Sequence, residues 1–255
     1  MLKVDKHMLS RLLYTNPVCL LTTSFETSRN VMTISWLTPI DNNGHFMCSM
    51  NQNRFSATVL HQSNDSSTIS PVGSRFVLNV PTADNAELVL KVGGCSGRDR
   101  DKYKHLGIES LICLPGGQVP PPNAFPWIWK DSVSTIETTN TQPTKKSKKE
   151  KRQDSNETYI QQGLIGLRNC CAHLVCVVDE VQQKYGHLIL FCTIEDGWVK
   201  EEYWNGKNFC PRVILSSEVS VEGGGEGSDG IVSQPYLSFL GSQVFATVDR
   251  LGKKE

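Results

Sequence analysis

The sequence predicts a mostly β protein with short helices, folded as a closed or partly closed antiparallel barrel. Three observations lead to this class. The first half of the chain contains several short segments rich in β-branched residues, and two long apolar segments joined by a tight turn follow later. These segments do not alternate regularly with helices, as the strands of a doubly wound parallel sheet would.

The predicted strands of the first half have lengths and compositions typical of an antiparallel sheet, and they are Val18–Thr23, Val31–Trp36, Phe46–Met50 and Arg75–Val80. Helical spacing of apolar residues is found at Ser56–His61 and at Ala83–Val92. The second helix opens with Asp84 and is expected to end at Gly93-Gly94, because glycine commonly terminates helices.

The second half adds a predicted hairpin and a docked tail. The apolar segments Ala172–Val181 and His187–Ile194 are expected to pair through a tight turn around Lys184-Tyr185-Gly186. The segment Tyr236–Val248 is apolar enough to pack against the rest of the protein. We therefore predict a single domain over residues 1–255.

A polar segment interrupts this domain. Residues 138–158 are nearly all polar, which predicts a flexible, disordered Lys-rich insertion on the surface. Six of its Lys and Arg residues lie between Lys145 and Arg152. This cluster has two interpretations, a solvated charged loop or a nuclear-import signal, and the first is the more common.

Composition excludes some classes of partner. The 26 basic and 26 acidic residues give a net charge of zero, so no overall field attracts nucleic acid or an anionic membrane. The N-terminal segment Met1–Lys6 is charged where a secretion signal would be apolar, and no segment reaches membrane-spanning length. We expect a cytoplasmic protein, with the nucleus as the alternative location.

The nine cysteines are scattered among apolar neighbours, which is typical of reduced, buried thiols. Cys170, Cys171, His173 and Cys176 form the only metal-like grouping. Strand alternation sends neighbours in this grouping to opposite faces, and no second Cys/His pair completes four ligands. We therefore predict no metal site.

The candidate site begins with the strand-like segment Asn30–Trp36. Alternation gives it two faces, one with Val31, Thr33 and Ser35 and the other with Asn30, Met32, Ile34 and Trp36. One face is expected to pack while the other offers hydroxyl groups.

A possible anion site follows within two dozen residues, where Arg54 and Ser56 open the first predicted helix. Free N–H groups, the positive end of the helix dipole and a guanidinium together suit a phosphate. The two segments together would hold a flat ring and its phosphate. The alternative is a half-buried strand followed by an ordinary capped helix.

An ordered set of motifs resembles the flavin reductase-like family. The matching segments are Asn16-Pro17-Val18 with Leu20–Thr23, Asn30–Trp36 with Pro39, Arg54-Phe55-Ser56, Phe76–Pro81, Gly94–Asp99 with Asp101-Lys102-Tyr103, and Ala172–Cys176. They span about two thirds of the chain. Each motif is degenerate, but their order makes the set specific.

The resemblance implies an antiparallel FMN-binding split β-barrel of the flavoredoxin type. It implies FMN as cofactor, with FAD as the alternative, and NAD(P)H as a transient co-substrate. It also implies a homodimer with the flavin near the interface. The residues it assigns to the flavin are Asn30, Met32, Thr33 and Ser35 at the ring, Arg54 and Ser56 at the phosphate, Ser49, Met50 and Asn53 in the same ligand-side segment, and Lys102.

Two of the implied roles have alternatives. Lys102 matches a family lysine, but an ion pair with Asp99 or Asp101 at the surface is equally compatible with the sequence. His187 follows Gly186, where related reductases have a Gly-Asp-His turn whose histidine lies near the nicotinamide. The carboxylate is missing in this chain, so the orientation and protonation of the His187 ring are unspecified.

Three functions remain open at this point. The first is a flavin oxidoreductase that passes hydride from NAD(P)H to flavin, which requires no side-chain acid or base. The second is a flavin-binding electron carrier, or a module that depends on a partner and does not turn over NAD(P)H. The third is an interaction protein that binds no flavin.

Overall fold

The computed structural model describes residues 16–26, 28–62, 70–121, 124–125, 156–204, 206, 209, 237–241 and 244–247. The Lys145–Arg152 cluster and residues 138–155 of the predicted insertion lie outside these ranges. The last residues of that insertion, 156–158, belong to a short helix. None of the helices in the described ranges has the length and apolar character needed to span a bilayer.

The described strands are numbered in chain order: β1 Asn16–Pro17, β2 Cys19–Phe25, β3 Ser28–Ile34, β4 Leu37–Pro39, β5 His45–Asn51, β6 Arg75–Val80, β7 Ile112–Cys113, β8 Gly166–Leu167, β9 Ala172–Lys184, β10 His187–Val199, β11 Leu237–Gly241 and β12 Val244–Thr247. The helices are α1 Phe55–Gln62, α2 Ala86–Gly94, α3 Lys102–His105 and α4 156–161. Short 3₁₀ turns cover Ala83–Asn85, Glu109–Leu111 and Glu201–Tyr203.

The predicted mostly β, antiparallel class is confirmed. A seven-stranded sheet has the order β3-β2-β6-β9-β10-β5-β4, and every neighbouring pair in it is antiparallel. The strand at Arg75–Val80 has the predicted ends, whereas β9 and β10 are longer than predicted. The predicted helix Ala83–Val92 is divided into a 3₁₀ turn and α2.

The sheet curls into a barrel because its two edge strands are consecutive in the chain. Strand β3 lies at one edge and β4 at the other, yet only Ser35 and Trp36 separate them. Three Cα–Cα steps of 3.8 Å reach at most about 11 Å, so the two edges must approach each other. The result is a barrel that is split between β3 and β4.

Strand alternation divides the apolar residues into two cores. Leu21, Met32, Leu78 and Cys176 belong to the core inside the barrel, and α1 contributes Leu60 to it. Their chain neighbours belong to a second core outside the sheet, with α2 and the segments near it: Leu20, Val31, Val77 and Val175. Both faces of β3 therefore carry packed apolar residues, whereas Thr33 on the predicted hydroxyl face is only half-buried.

The buried residue Asn79 ties the sheet to the strand pair outside it. Its Nδ2 donates to the Leu20 carbonyl at 2.9 Å, and its Oδ1 accepts from the Leu167 backbone N–H at 2.7 Å. The same side chain therefore contacts both β2 and β8. This double contact gives the asparagine of the Phe76–Pro81 segment a structural role.

The hairpin and the docked tail are both confirmed. Tyr185 and Gly186 have positive φ values of 52° and 74° and connect β9 to β10, as a two-residue hairpin turn of the primed type requires. Strands β11 and β12 form a second hairpin that pairs with β1 through Asn16 and Pro17. The tail thus completes a separate three-stranded sheet.

The metal-like grouping is part of the apolar core. His173 is buried, its Nδ1 accepts from the Gly116 backbone N–H at 3.2 Å, and its Nε2 donates to the Leu167 carbonyl at 2.9 Å. These contacts occupy both ring nitrogens, and burial lowers the pKa of His173. No group of three or more potential metal ligands occurs within the described ranges.

Candidate functional site

Two adjoining cavities lie at the split of the barrel. The first, called here the basic cavity, has a volume of about 330 Å³ and is lined by β3, the start of α1, the end of α2 and the loop up to α3. The second, the histidine cavity, has a volume of about 300 Å³ and is lined by the β3–β4 connection, β5 and His187. Met32, Thr33 and Arg54 line both, so the cavities form one continuous cleft.

The basic cavity is lined by three cations, Arg54, Arg98 and Lys102. No acidic side chain contributes to its described lining. Arg98 Nη2 donates to the Asn53 backbone carbonyl at 3.1 Å, which joins the loop after α2 to the residues before α1. Since Arg54 directly precedes the first turn of α1, helix N–H groups add to the positive potential. The cavity is suited to an anion.

Asn30 provides a buried acceptor that has no partner. Its side-chain Nδ2 donates to Ser56 Oγ at 2.8 Å, while Oδ1 has no hydrogen-bond partner among the described residues. Asn30 is only 3% exposed. A Cβ added at Gly97 would lie 2.3 Å from this oxygen and 2.8 Å from Phe55 Cδ1. Glycine therefore allows the backbone at residue 97 to pack closely against Asn30 and Phe55.

Lys102 is buried, and the alternative of a surface ion pair was wrong. Its Nζ donates to the Val92 carbonyl at 2.8 Å, near the end of α2. Burial lowers the pKa of Lys102, a nearby Cys95 opposes this decrease, and Arg54 adds to it. Asp101 pairs instead with Arg29, at 2.5 Å. Lys102 is thus a partly desolvated cation at the cavity wall.

A buried arginine holds the loop between α2 and α3 in place. Arg29 Nη2 also contacts Glu109 at 3.0 Å, and its guanidinium lies 4.8 Å from the centroid of the Tyr103 ring. Asp101 Oδ1 accepts from the Tyr103 backbone N–H at 2.9 Å and so caps α3. This network fixes the start of α3, and with it the position of Lys102.

Two of the predicted hydroxyl contacts differ from the expectation. Thr33 Oγ1 donates to the Val89 carbonyl of α2 at 2.8 Å, so its remaining capacity toward a ligand is as an acceptor. Ser56 is fully buried and accepts from Asn30, and its side chain does not line the cleft. Ser56 positions Asn30 rather than facing the cavity.

The histidine cavity is defined by a pair of rings. The rings of Trp36 and His187 lie 5.3 Å apart between centroids, at an interplanar angle of 36°. His187 Nδ1 donates to the Tyr185 carbonyl at 3.1 Å, which leaves Nε2 as an acceptor in the neutral ring. The tyrosine carbonyl and the tryptophan thus set the orientation that the missing carboxylate left unspecified.

An apolar groove continues from the histidine cavity along the outer surface of β4, β5 and β10. Trp36 and Ser49 line both features, and the groove adds Leu37, Met47 and Phe191. Its volume is about 410 Å³. Met47 is 40% exposed and Trp36 is 43% exposed, so apolar surface lies open beside the cleft.

The cleft brings together nearly all the residues predicted for the site. Those that line one cavity or both are Asn30, Met32, Thr33, Ser35, Ser49, Met50, Asn53, Arg54, Lys102 and His187. Sequence reasoning missed roles for Gly97, Arg98 and Trp36. Gly97 and Arg98 belong to the Ser-Gly-Arg-Asp motif, and the period-two pattern had placed Trp36 on one face of the Asn30–Trp36 segment.

Residues 9–113 match the sequence profile of the flavin reductase like domain. The match contains every described residue of the basic cavity, whereas His187 lies beyond it. No curated protein sequence matches the chain.

Solved structures share the fold of this protein at low sequence identity. Flavoredoxin from Methanosarcina acetivorans is 13% identical with a TM-score of 0.57, over 100% of this chain and 95% of that one. An FMN-binding protein from Thermus thermophilus is 14% identical with a TM-score of 0.55, over 92% and 86%. Flavoredoxin of Desulfovibrio vulgaris is 12% identical with a TM-score of 0.53, over 94% and 90%. The predicted FMN-binding split-barrel fold is confirmed.

Proposed function

We propose that this protein binds FMN across the cleft and passes hydride from NAD(P)H to the flavin. The observation that carries the proposal is the convergence of three cations and an unpartnered buried acceptor in the basic cavity. A phosphate is an anion that accepts hydrogen bonds, and the ribityl chain next to it carries hydroxyl donors. The lining offers a partner of the right kind to each group.

The residues present fit FMN in a defined direction. Arg54, Arg98 and Lys102 would hold the phosphate, and Asn30 Oδ1 would accept from a ribityl hydroxyl. The ring would then extend into the histidine cavity, past Met32 and Thr33. FAD is the alternative cofactor. Its adenosine monophosphate group would have to extend out of the cleft, beyond the contact between Arg98 and Asn53.

Bound FMN would supply a hydride acceptor at its ring, where NAD(P)H reacts. The outward N–H groups of edge strand β3 would donate to the ring edge, since the Thr33 hydroxyl proton is already engaged. His187 would orient the second substrate by accepting at Nε2 from the carboxamide of a nicotinamide. Trp36 would exclude water from one side of this contact.

We further propose that the protein is a homodimer with the flavin near the interface. The apolar groove supports this arrangement, because it begins at Trp36 and Ser49, beside the histidine cavity. Burying Met47 and Phe191 against a second copy would remove apolar surface from water. Sedimentation equilibrium tests this proposal, and a monomer at micromolar concentration would contradict it.

A flavin titration tests the binding proposal. Arg54→Ala is expected to weaken FMN by about 1.5–3 kcal/mol, which is roughly 10- to 150-fold in Kd, because a charged hydrogen bond is lost. The same variant should bind riboflavin, which has no phosphate, almost as the wild type does. Arg75→Ala is the matched control, since Arg75 pairs with Glu195 on the surface of the sheet. An FMN Kd that is equal in all three proteins would remove Arg54 from the site.

Steady-state assays separate the remaining functions. Oxidation of NADH or NADPH by the FMN-loaded protein identifies an oxidoreductase. A protein that binds FMN without oxidising either nucleotide is an electron carrier or a partner-dependent module. A chain that cannot be reconstituted with FMN or FAD is an interaction protein that binds no flavin.

A further inference from the structure

Cys95 differs from the other described cysteines in its access to solvent. Eight cysteines lie in the described ranges, and all are buried except Cys95, which is partly exposed. Thiols inside the barrel, such as Cys19, are also chemically protected, because burial raises the pKa of Cys19 to about 12. Reagents dissolved in water can therefore reach Cys95 without local unfolding.

Cys95 lines the basic cavity, next to the cations assigned to the phosphate. It follows the last residue of α2, with φ −127° and ψ 157°, which turns the chain out of the helix. A helix C-terminus disfavours a negative charge. Lys102 and Arg54 line the same cavity, and their positive charges oppose this effect on an anionic reagent. An anionic reagent is attracted to the site for the same reason.

A second feature of the cavity indicates a ligand independently of the thiol. Asn30 Oδ1 is buried, has no partner among the described residues and belongs to a side chain that lines the cavity. A peptide-like molecule in this cavity carries amide N–H groups, which are donors of the kind that this oxygen lacks. A ribityl hydroxyl of FMN would require the same oxygen, so the two ligands compete.

We propose that Cys95 is a thiol modification site that forms a mixed disulfide with an anionic small disulfide, such as glutathione disulfide, and that this adduct excludes FMN. The Cys95 thiolate attacks one sulfur, a Cys95–glutathione S–S bond forms and the original S–S bond breaks. The leaving glutathione thiolate takes up the proton that Cys95 released. The thiol is oxidised and one half of the disulfide is reduced. The exclusion step rests on the proposed function.

The test treats the FMN-free, full-length protein with glutathione disulfide and measures intact mass and peptide mass. We expect a glutathionyl group at Cys95, located by peptide mass, and a rate of modification at that residue that falls as salt is added. Cys210 lies outside the described residues, and its peptide is scored separately. Excess FMN should slow the reaction about tenfold or more if it occupies the cavity. The modified protein should bind FMN about tenfold or more weakly, and dithiothreitol should restore the original Kd.

Two controls make the outcome specific. In Cys95→Ser, glutathione disulfide should add no group at residue 95 and should leave the FMN Kd equal before and after treatment. Methyl methanethiosulfonate, which is small and uncharged, should modify the wild-type thiol at a rate that does not depend on salt.

The possible failures are distinguishable. Modification of a buried cysteine in preference to Cys95 would overturn the proposed site. Modification of Cys95 with an unchanged FMN Kd would overturn the exclusion step and leave the flavin proposal intact. A protein in which Cys95 reacts as expected, but which binds no FMN before treatment, would contradict the proposed function and the exclusion step while supporting the modification site.

Discussion

The two halves of the cleft are built differently. In the basic cavity, Asn30 and Lys102 are buried and held by hydrogen bonds to Ser56 and the Val92 carbonyl. In the histidine cavity, Trp36 is 43% exposed and His187 is held by a single backbone carbonyl. Buried, bonded groups keep their geometry before a ligand arrives. The comparison indicates that Asn30 and Lys102 hold fixed positions in the basic cavity, the proposed phosphate end, although Arg54 and Arg98 are exposed. The histidine cavity, the proposed substrate end, is more open.

The largest effect is expected where the basic cavity is tightest. Gly97→Ala should weaken FMN binding about 100-fold, or roughly 3 kcal/mol, because the new Cβ collides with Asn30 Oδ1 and Phe55. Gly94→Ala is the comparison at a second glycine of the same cavity lining, where an added Cβ meets no protein atom within 4 Å. Fluorescence titration with FMN measures both. Equal affinities for the two variants would show that the basic cavity is not preorganised.

Replacing the buried Lys102 should affect FMN affinity and the free energy of unfolding differently. Lys102→Met should weaken FMN by about 1.5–2 kcal/mol, roughly 10- to 30-fold, because a charged contact to phosphate is lost. Its free energy of unfolding should change less, since removing a partly desolvated ammonium offsets the loss of the hydrogen bond to the Val92 carbonyl. Urea unfolding and FMN titration measure the two quantities. Lys91→Met, at an exposed lysine of α2, is the control, and a parallel loss of both quantities in Lys102→Met would contradict the assigned role.

The open half of the cleft should affect turnover more than affinity. His187→Ala is expected to lower kcat/KM for the nicotinamide substrate about tenfold, or about 1.4 kcal/mol, because the acceptor at Nε2 is lost. The FMN Kd should change little. Tyr185→Ala is the control, since its side chain is 88% exposed and only its backbone carbonyl holds His187. A His187→Ala protein with wild-type kcat/KM would assign the second substrate to another surface.

The smallest effect concerns stability at acid pH, away from the cleft. Burial lowers the pKa of His173 below its ordinary value of 6.5, so the unfolded chain binds a proton that the folded protein excludes. Its contribution to the unfolding free energy is complete above pH 6.5 and decreases as the pH falls below that value. Urea unfolding at about pH 7.5 and about pH 5.5 measures the loss. The loss should be smaller in His173→Asn, and an equal loss would show that another group titrates.

The sequence predicted those parts of the site that depend on local pattern. The alternating pattern of β3 and the predicted start of α1 were enough to predict that Thr33 and Arg54 line one cleft. The direction of a side chain on the first turn of a helix is a tertiary property, and for this reason Ser56 was misassigned. Burial of Lys102 depends on α2, and the close approach of Gly97 to Asn30 joins residues far apart in sequence.

The ends of the strands also depend on tertiary structure that the local sequence pattern does not show. The apolar pattern of β9 stops near Val181, but its pairing with β10 continues to Lys184, because backbone hydrogen bonds extend a hairpin where both faces are exposed. Apolar periodicity reports burial rather than pairing. Sequence reading therefore located the strands and underestimated their length. Homodimer formation, cofactor identity and location in the cell stay predictions.

The Ser35–Trp36 connection acts as a tether of fixed length across the mouth of the cleft. Strands β3 and β4 cannot separate further than these two residues reach, so the opening has a built-in maximum width. The length of this connection also determines which face of the sheet each side chain of β4 occupies. One inserted residue would either turn over every side chain of β4 relative to β5 or shift Trp36 away from His187. Among related proteins, loop length is thus expected to vary elsewhere on this barrel, whereas this connection should keep its length of two residues.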